Sequence, residues 1–138
     1  MSPAALFQFT KKSVSNSSKT FIIIGSILGA LSVAFGAFGA HGLQDFLEAT
    51  GRIETFKTAM NYLWYHTFAI LLIGLLLSHK NARLFKVAGI CFLVGIVVFS
   101  GSLFALIGTG NTSFGMITPI GGLSFIVGWA LTGIGVFK

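Results

Sequence analysis

Phe21-Ile-Ile-Ile-Gly-Ser-Ile-Leu-Gly-Ala-Leu-Ser-Val-Ala-Phe-Gly-Ala-Phe-Gly-Ala40 runs for twenty residues without a charge. Coiled as an α-helix it is long enough to cross a hydrocarbon core of about 30 Å. Its small residues, Gly25, Gly29, Ser32, Gly36 and Gly39, recur at spacings of four and three. They draw one seam down a single helix face. In a membrane such a seam lets a second backbone approach closely, with van der Waals contact rather than water exclusion holding the pair. This helix is expected to be the packing centre of an all-α integral membrane protein.

The composition agrees. Of 138 residues 54% are hydrophobic and only 9% charged, against about 25% charged in soluble domains. The net charge of +6 sits at the ends of apolar runs. No basic stripe is interleaved with aromatics, so nucleic acid is not an expected partner and the lipid bilayer is. Cys91 is the only cysteine, so the chain has no intrachain disulfide.

Residues 1–20 are basic and serine-rich, with Lys11, Lys12 and Lys19 and no acid. They are expected to form a cytoplasmic tail, with a short helix around Leu6–Lys12 on the membrane surface, rather than a cleaved signal, because the apolar run that follows is too long. Residues 21–138 are then one four-helix membrane domain, with spans near 21–40, 62–77, 87–107 and 120–137.

Between the first two spans, residues 43–61 hold every acidic residue: Asp45, Glu48 and Glu54. Leu43, Phe46, Leu47, Ile53, Phe56 and Met60 keep a helical apolar stripe opposite them, the pattern of an amphipathic helix lying in the interface. Gly51 should split it, with Glu54 in the first turn of a new helix. That helix can continue unbroken into the second span, with Tyr62, Trp64 and Tyr65 at headgroup level. Glu48 and Arg52 are spaced as an i,i+4 ion pair. Thr118-Pro119 reads as the N-cap and first residue of the last helix. That helix carries a second seam, Gly121, Ser124, Gly128, Thr132 and Gly135.

Orientation follows from the basic residues. Lys11, Lys12, Lys19, Lys80, Arg83, Lys86 and Lys138 fall on one side of a four-span protein, and only Arg52 and Lys57 on the other. Both termini are expected in the cytoplasm, with the amphipathic segment outside.

Four motifs carry a resemblance: Gly36-Ala-Phe-Gly-Ala-His-Gly-Leu43, Phe56-x-x-Ala59-x-x-Tyr62-x-x-Tyr65-His66, Phe99-Ser-Gly-Ser-Leu103, and Ile117-Thr-Pro-Ile-Gly-Gly-Leu123 with Gly128-Trp129. With them the chain, from about Phe21 onward, resembles the domain-of-unknown-function 423 family of small inner-membrane proteins, and the transmembrane protein 256 group. The resemblance implies four spans and an inner (cell) membrane location. It implies no activity, substrate or cofactor.

His41 and His66 are the candidate site residues. By this topology both rings lie near the outer membrane surface, at similar depth, where they could ligate haem or a metal, relay protons, or bond helix-end carbonyls. A lone imidazole pair without thiolate or carboxylate partners makes a poor closed metal site, so no metal and no cofactor are expected. Ser100 and Ser102 have no base nearby and read as packing or carbonyl-bonding groups, or as polar lining beside the histidines. The expected role is non-enzymatic: a structural or accessory subunit that forms a homo-oligomer or docks onto a larger membrane complex, since two glycine seams exceed what one small bundle needs. The alternative is a protein that binds or conducts a small molecule or ion through an outward-facing polar cavity. A third reading is a haem or metal redox protein using His41 and His66.

Overall fold

A computed structural model describes residues 14–80 and 82–137; the expected surface helix near Leu6–Lys12 and the terminal Lys138 lie outside them. The described residues form helices and short connections, with no strand. Helix α1 is Asn16–His41, α2 Gln44–Ala49, α3 Ile53–His79, α4 Arg83–Gly95, α5 Gly101–Thr109 and α6 Thr118–Phe137. A π-helical turn, Ile96–Ser100, joins α4 to α5 without a break, so Arg83–Thr109 is one continuous third span. A 3₁₀ turn, Thr112–Met116, leads into α6. Four of these runs are long and apolar enough to cross a membrane: α1, α3, the third span, and the 3₁₀ turn with α6.

The helices pack in a zigzag. Helix α1 lies along α3, α3 along the third span, and the third span along α6. The packing centre is therefore α3, not α1: half of the apolar stretch of α3 is buried, but only 17% of that of α1. The reason is that the α1 seam serves one main partner, whereas α3 offers faces to three helices. Exposed Ile23, Ile27, Val97 and Ile126 are what a bundle with lipid for its outer solvent displays.

Glycines of both seams, and two glycines of α4 outside them, work as notches for rings. Gly39 receives the Phe56 ring, Gly89 receives Phe21, Gly95 receives Phe125, Gly128 receives Phe92 and Gly135 receives Phe85. Gly121 is different. A methyl group there would lie 2.5 Å from the backbone nitrogen of Phe99 and 2.8 Å from its Cα, so at this point two backbones touch. Hydroxyls tie the helices between the notches. Ser18 donates to the Gly74 carbonyl (2.6 Å), Ser100 to that of Ala59 (2.9 Å) and Ser124 to that of Cys91 (2.8 Å). Such interhelical bonds contribute about 0.6 kcal/mol each on average in membranes.

The segment between α1 and α3 breaks at Gly51, whose φ of 65° is left-handed and suits glycine. The turn puts Arg52 where the i,i+4 pairing with Glu48 cannot form. Its guanidinium crosses to the end of the third span and donates from Nη1 to the carbonyls of Leu106 (3.1 Å) and Ile107 (2.9 Å). These belong to the last turn of α5, where the Leu106 carbonyl also accepts from the N–H of the left-handed Gly110 at 2.9 Å, so the guanidinium adds to the closure of that helix end. Glu48 instead accepts from Gln44, 3.0 Å away. Thr118 also departs from expectation: its hydroxyl meets the Ser102 hydroxyl at 2.8 Å and is turned back toward the Phe114 carbonyl, so it is a tie to α5 rather than an N-cap.

Candidate functional site: an aromatic cleft between α3 and α6

Tyr62, Tyr65 and His66 stand at i, i+3 and i+4 of α3 and share one face. On α6, Phe125 and Trp129 do the same. The backbone contact at Gly121 brings the two faces together around the third span. The π-helical turn lies at that level, and its Phe99 ring stacks on Tyr62 with centroids 4.2 Å apart. Turns of this kind re-aim the residues they carry. The result is an open cleft of about 720 Å³ whose walls come from α3 and α6 and whose floor includes Phe99, Phe125 and the edge of His66.

His66 is the only ionisable group nearly buried there, at 5% exposure. Its Nδ1 lies 2.8 Å from the Tyr62 carbonyl; a carbonyl only accepts, so Nδ1 carries the proton. The Trp129 indole N–H points at Nε2 across 3.3 Å, and an indole only donates. The ring is thus a neutral imidazole with both nitrogens engaged. It lies face to face with Phe125, centroids 3.4 Å apart and planes 8° from parallel. Metal ligation would require the Nε2 lone pair that Trp129 occupies. Among the described residues no three His, Cys, Asp or Glu side chains converge.

The four polar candidates are not brought together. The α1–α3 pair is antiparallel, with Gly29 meeting Thr67 and Gly36 meeting Met60, so His41 stands level with Thr55. From there His66 is eleven residues further along α3, about 16 Å at the helical rise. The equal depth expected of the two rings fails because α3 is helical from Ile53, which carries His66 well inside the span. His41 is exposed as the last residue of α1. Ser100 is buried on the Ala59 carbonyl, and Ser102 on Phe99 and Thr118. Neither serine lines the cleft.

The tyrosine hydroxyls are the cleft's open valences. Tyr62 is 37% exposed and Tyr65 60%, and neither hydroxyl has a hydrogen-bond partner among the described residues. Helical side chains lean toward the helix start, so both lean toward the α2 end of the bundle. The cleft has an apolar aromatic interior and a hydroxyl rim. Phe125 and Trp129 escape a sequence reading that looks for ionisable groups; their spacing of four on α6 is the signal that marks them.

The sequence profile described as "Protein of unknown function (DUF423)" matches residues 35–122. A UPF0382 membrane protein of Staphylococcus saprophyticus is 42% identical over 120 residues, covering 87% of this chain and 98% of the relative. UPF0382 membrane protein YwdK of Bacillus subtilis is 37% identical over 122 residues (87% and 98%). UPF0382 inner membrane protein YgdD of Escherichia coli is 34% identical over 121 residues (88% and 92%). No solved structure matches the chain significantly.

Proposed function

The chain belongs to the DUF423 family of membrane proteins, and from that premise we propose that it is a non-catalytic binding component of the membrane, holding a membrane-soluble amphiphile in the cleft between α3 and α6. The observation that carries this reading is the pairing of an apolar, lipid-open cleft with two unpartnered tyrosine hydroxyls at its rim. A phenol in contact with hydrocarbon favours a bonding partner, and an amphiphile supplies an acceptor at one end and apolar bulk at the other. His66, with both nitrogens engaged, shapes the wall and does no acid–base work. The printed name of the Escherichia coli relative supports an inner-membrane location, and the basic-residue asymmetry supports cytoplasmic termini.

The test is solvent extraction of protein purified in mild detergent, followed by mass spectrometry. Leu123 lines the cleft and is 61% exposed, so Leu123→Trp fills the mouth without entering the packed core. A hydrophobic compound should be enriched with the wild type and absent from the variant. Identical extracts would sink the proposal.

The second reading is the accessory subunit. Both seams are occupied within the chain, which removes the argument from spare glycines. What favours it now is α1, most of whose surface, including Ile23, Ile27 and Leu31, has no protein neighbour. A partner helix lying there would be detected by crosslinking from position 27, and would leave the cleft's extract unchanged.

A further inference from the structure

The two ends of the bundle differ in charge. One end gathers the start of α1, the end of α3, the start of α4 and the end of α6: Ser15 donates to the Leu77 carbonyl (3.4 Å), Ser18 to that of Gly74 (2.6 Å), and Phe85 seats against Gly135. Its described charged residues are Lys19, Lys80, Arg83 and Lys86, with no acid among them. The opposite end holds Asp45, Glu48 and Glu54 beside Arg52 and Lys57. The one salt bridge among the described residues is there, Lys57 to Glu54 at 2.8 Å. At the basic end no lysine or arginine has a side-chain partner among the described residues.

We infer that this corner binds the phosphate groups of anionic phospholipids, of the phosphatidylglycerol or cardiolipin class. The inference is independent of the cleft. Arg83 and Lys86 are spaced i,i+3 on one face of α4, and Lys80 stands just before it in the chain. The serine bonds fix the first turn of α1, and with it Lys19, against the end of α3. Lys80 caps the end of α3 and Arg83 opens α4, so both charges stand at the ends of spanning helices, the level at which lipid phosphates lie. Phe85 and Leu77, buried at 2% and 1%, anchor the backbone beneath them. Basic clusters just outside spanning helices are what anionic headgroups recognise, and arginine grips phosphate through two parallel hydrogen bonds.

Native mass spectrometry of the detergent-solubilised protein with equimolar phosphatidylglycerol and phosphatidylcholine tests this. The wild type should retain the anionic lipid in several-fold excess. The triple variant Lys80→Gln/Arg83→Gln/Lys86→Gln should lose about tenfold or more of that preference, as expected for removal of three near-surface charges. Lys57→Gln, at the other end, should keep it. Should the triple variant fail to fold, the wild-type preference must collapse at roughly 1 M salt, where the screening length is about 3 Å. Equal retention of both lipids by the wild type, or equal loss in Lys57→Gln, overturns the inference. So does a triple variant that keeps its lipid preference but sheds a copurifying protein, which would make the corner a protein-docking surface.

Discussion

The indole N–H of Trp129 donates to Nε2 of His66 across 3.3 Å, linking two helices whose residues are 63 positions apart in the chain. It fixes the tautomer of a nearly buried imidazole and closes one end of the cleft. Its two members are not equivalent. Without Trp129, His66 keeps its bond to the Tyr62 carbonyl; without His66, the indole N–H has nothing to bond inside hydrocarbon.

That asymmetry predicts the energetics. Trp129→Phe should cost about 1–2 kcal/mol for the lost bond and part of the packing. His66→Leu should cost more, because an orphaned donor in lipid carries the larger penalty. The double variant His66→Leu/Trp129→Phe should cost less than the sum of the two singles. Unfolding of all three in detergent, read as a double-mutant cycle, measures this; strict additivity would mean that the bond is absent in solution.

Gly121 and Gly29 should respond in opposite ways to alanine. At Gly121 a methyl meets the Phe99 backbone, which cannot rotate aside. At Gly29 the nearest atom is Thr67 Cγ2 at 3.8 Å, an ordinary contact, and alanine gains up to about 0.8–1.0 kcal/mol of helix propensity over glycine. Gly29→Ala should be neutral or stabilising and Gly121→Ala destabilising by about 1–3 kcal/mol. A shared sign for the two changes, in thermal unfolding, would contradict the notch geometry.

Arg52 offers a comparison of two cations at one end of the bundle. It bonds two carbonyls of the α5 terminus and is half-buried, whereas Lys57 pairs with Glu54 in the open, at 61% and 83% side-chain exposure. Arg52→Ala should cost about 1–2 kcal/mol and Lys57→Ala less than about 0.5. Faster hydrogen exchange confined to the end of α5 in Arg52→Ala would locate the effect. An Arg52→Ala protein as stable as the wild type would show that the clamp does not operate.

Local pattern and distant contact divide what the sequence reveals. Apolar runs bounded by charge mark the four spans, and Gly51 marks the break before α3, because helix length, amphipathic spacing and a left-handed glycine are all properties of a few consecutive residues. The targets of Arg52 are 54 and 55 residues away, and that of His66 is 63; no local rule carries that information. The seam positions can be read from their spacing, but not which ring enters which notch. The π-helical turn at Ile96–Ser100 has ordinary apolar sequence. Its neighbours are the Ala59 carbonyl and the Gly121 backbone, features of other helices. The depth of His66 escapes the sequence for a related reason: the tyrosines near it suggest the interface, while the helix that carries them begins nine residues before Tyr62.

Sidedness is the last expectation. The bonds joining α1 to α3, with the contact of Phe85 at Gly135, put the start of α1 and the end of α6 at one end of the bundle. Which membrane face that end occupies depends on charge alone. Translocation disfavours short basic segments, and that end carries Lys19, Lys80, Arg83 and Lys86 against Arg52 and Lys57 at the other. Cysteines placed one at a time at Glu48 and at Arg83, in a Cys91→Ala background, should therefore differ in intact cells. An impermeant maleimide should label position 48 directly and position 83 only after the membrane is opened. Labelling at 83 with protection at 48 would invert the protein. The acidic segment and the mouth-side tyrosines would then face the cytoplasm, and the lipid-binding corner would have to find its phosphates in the outer leaflet.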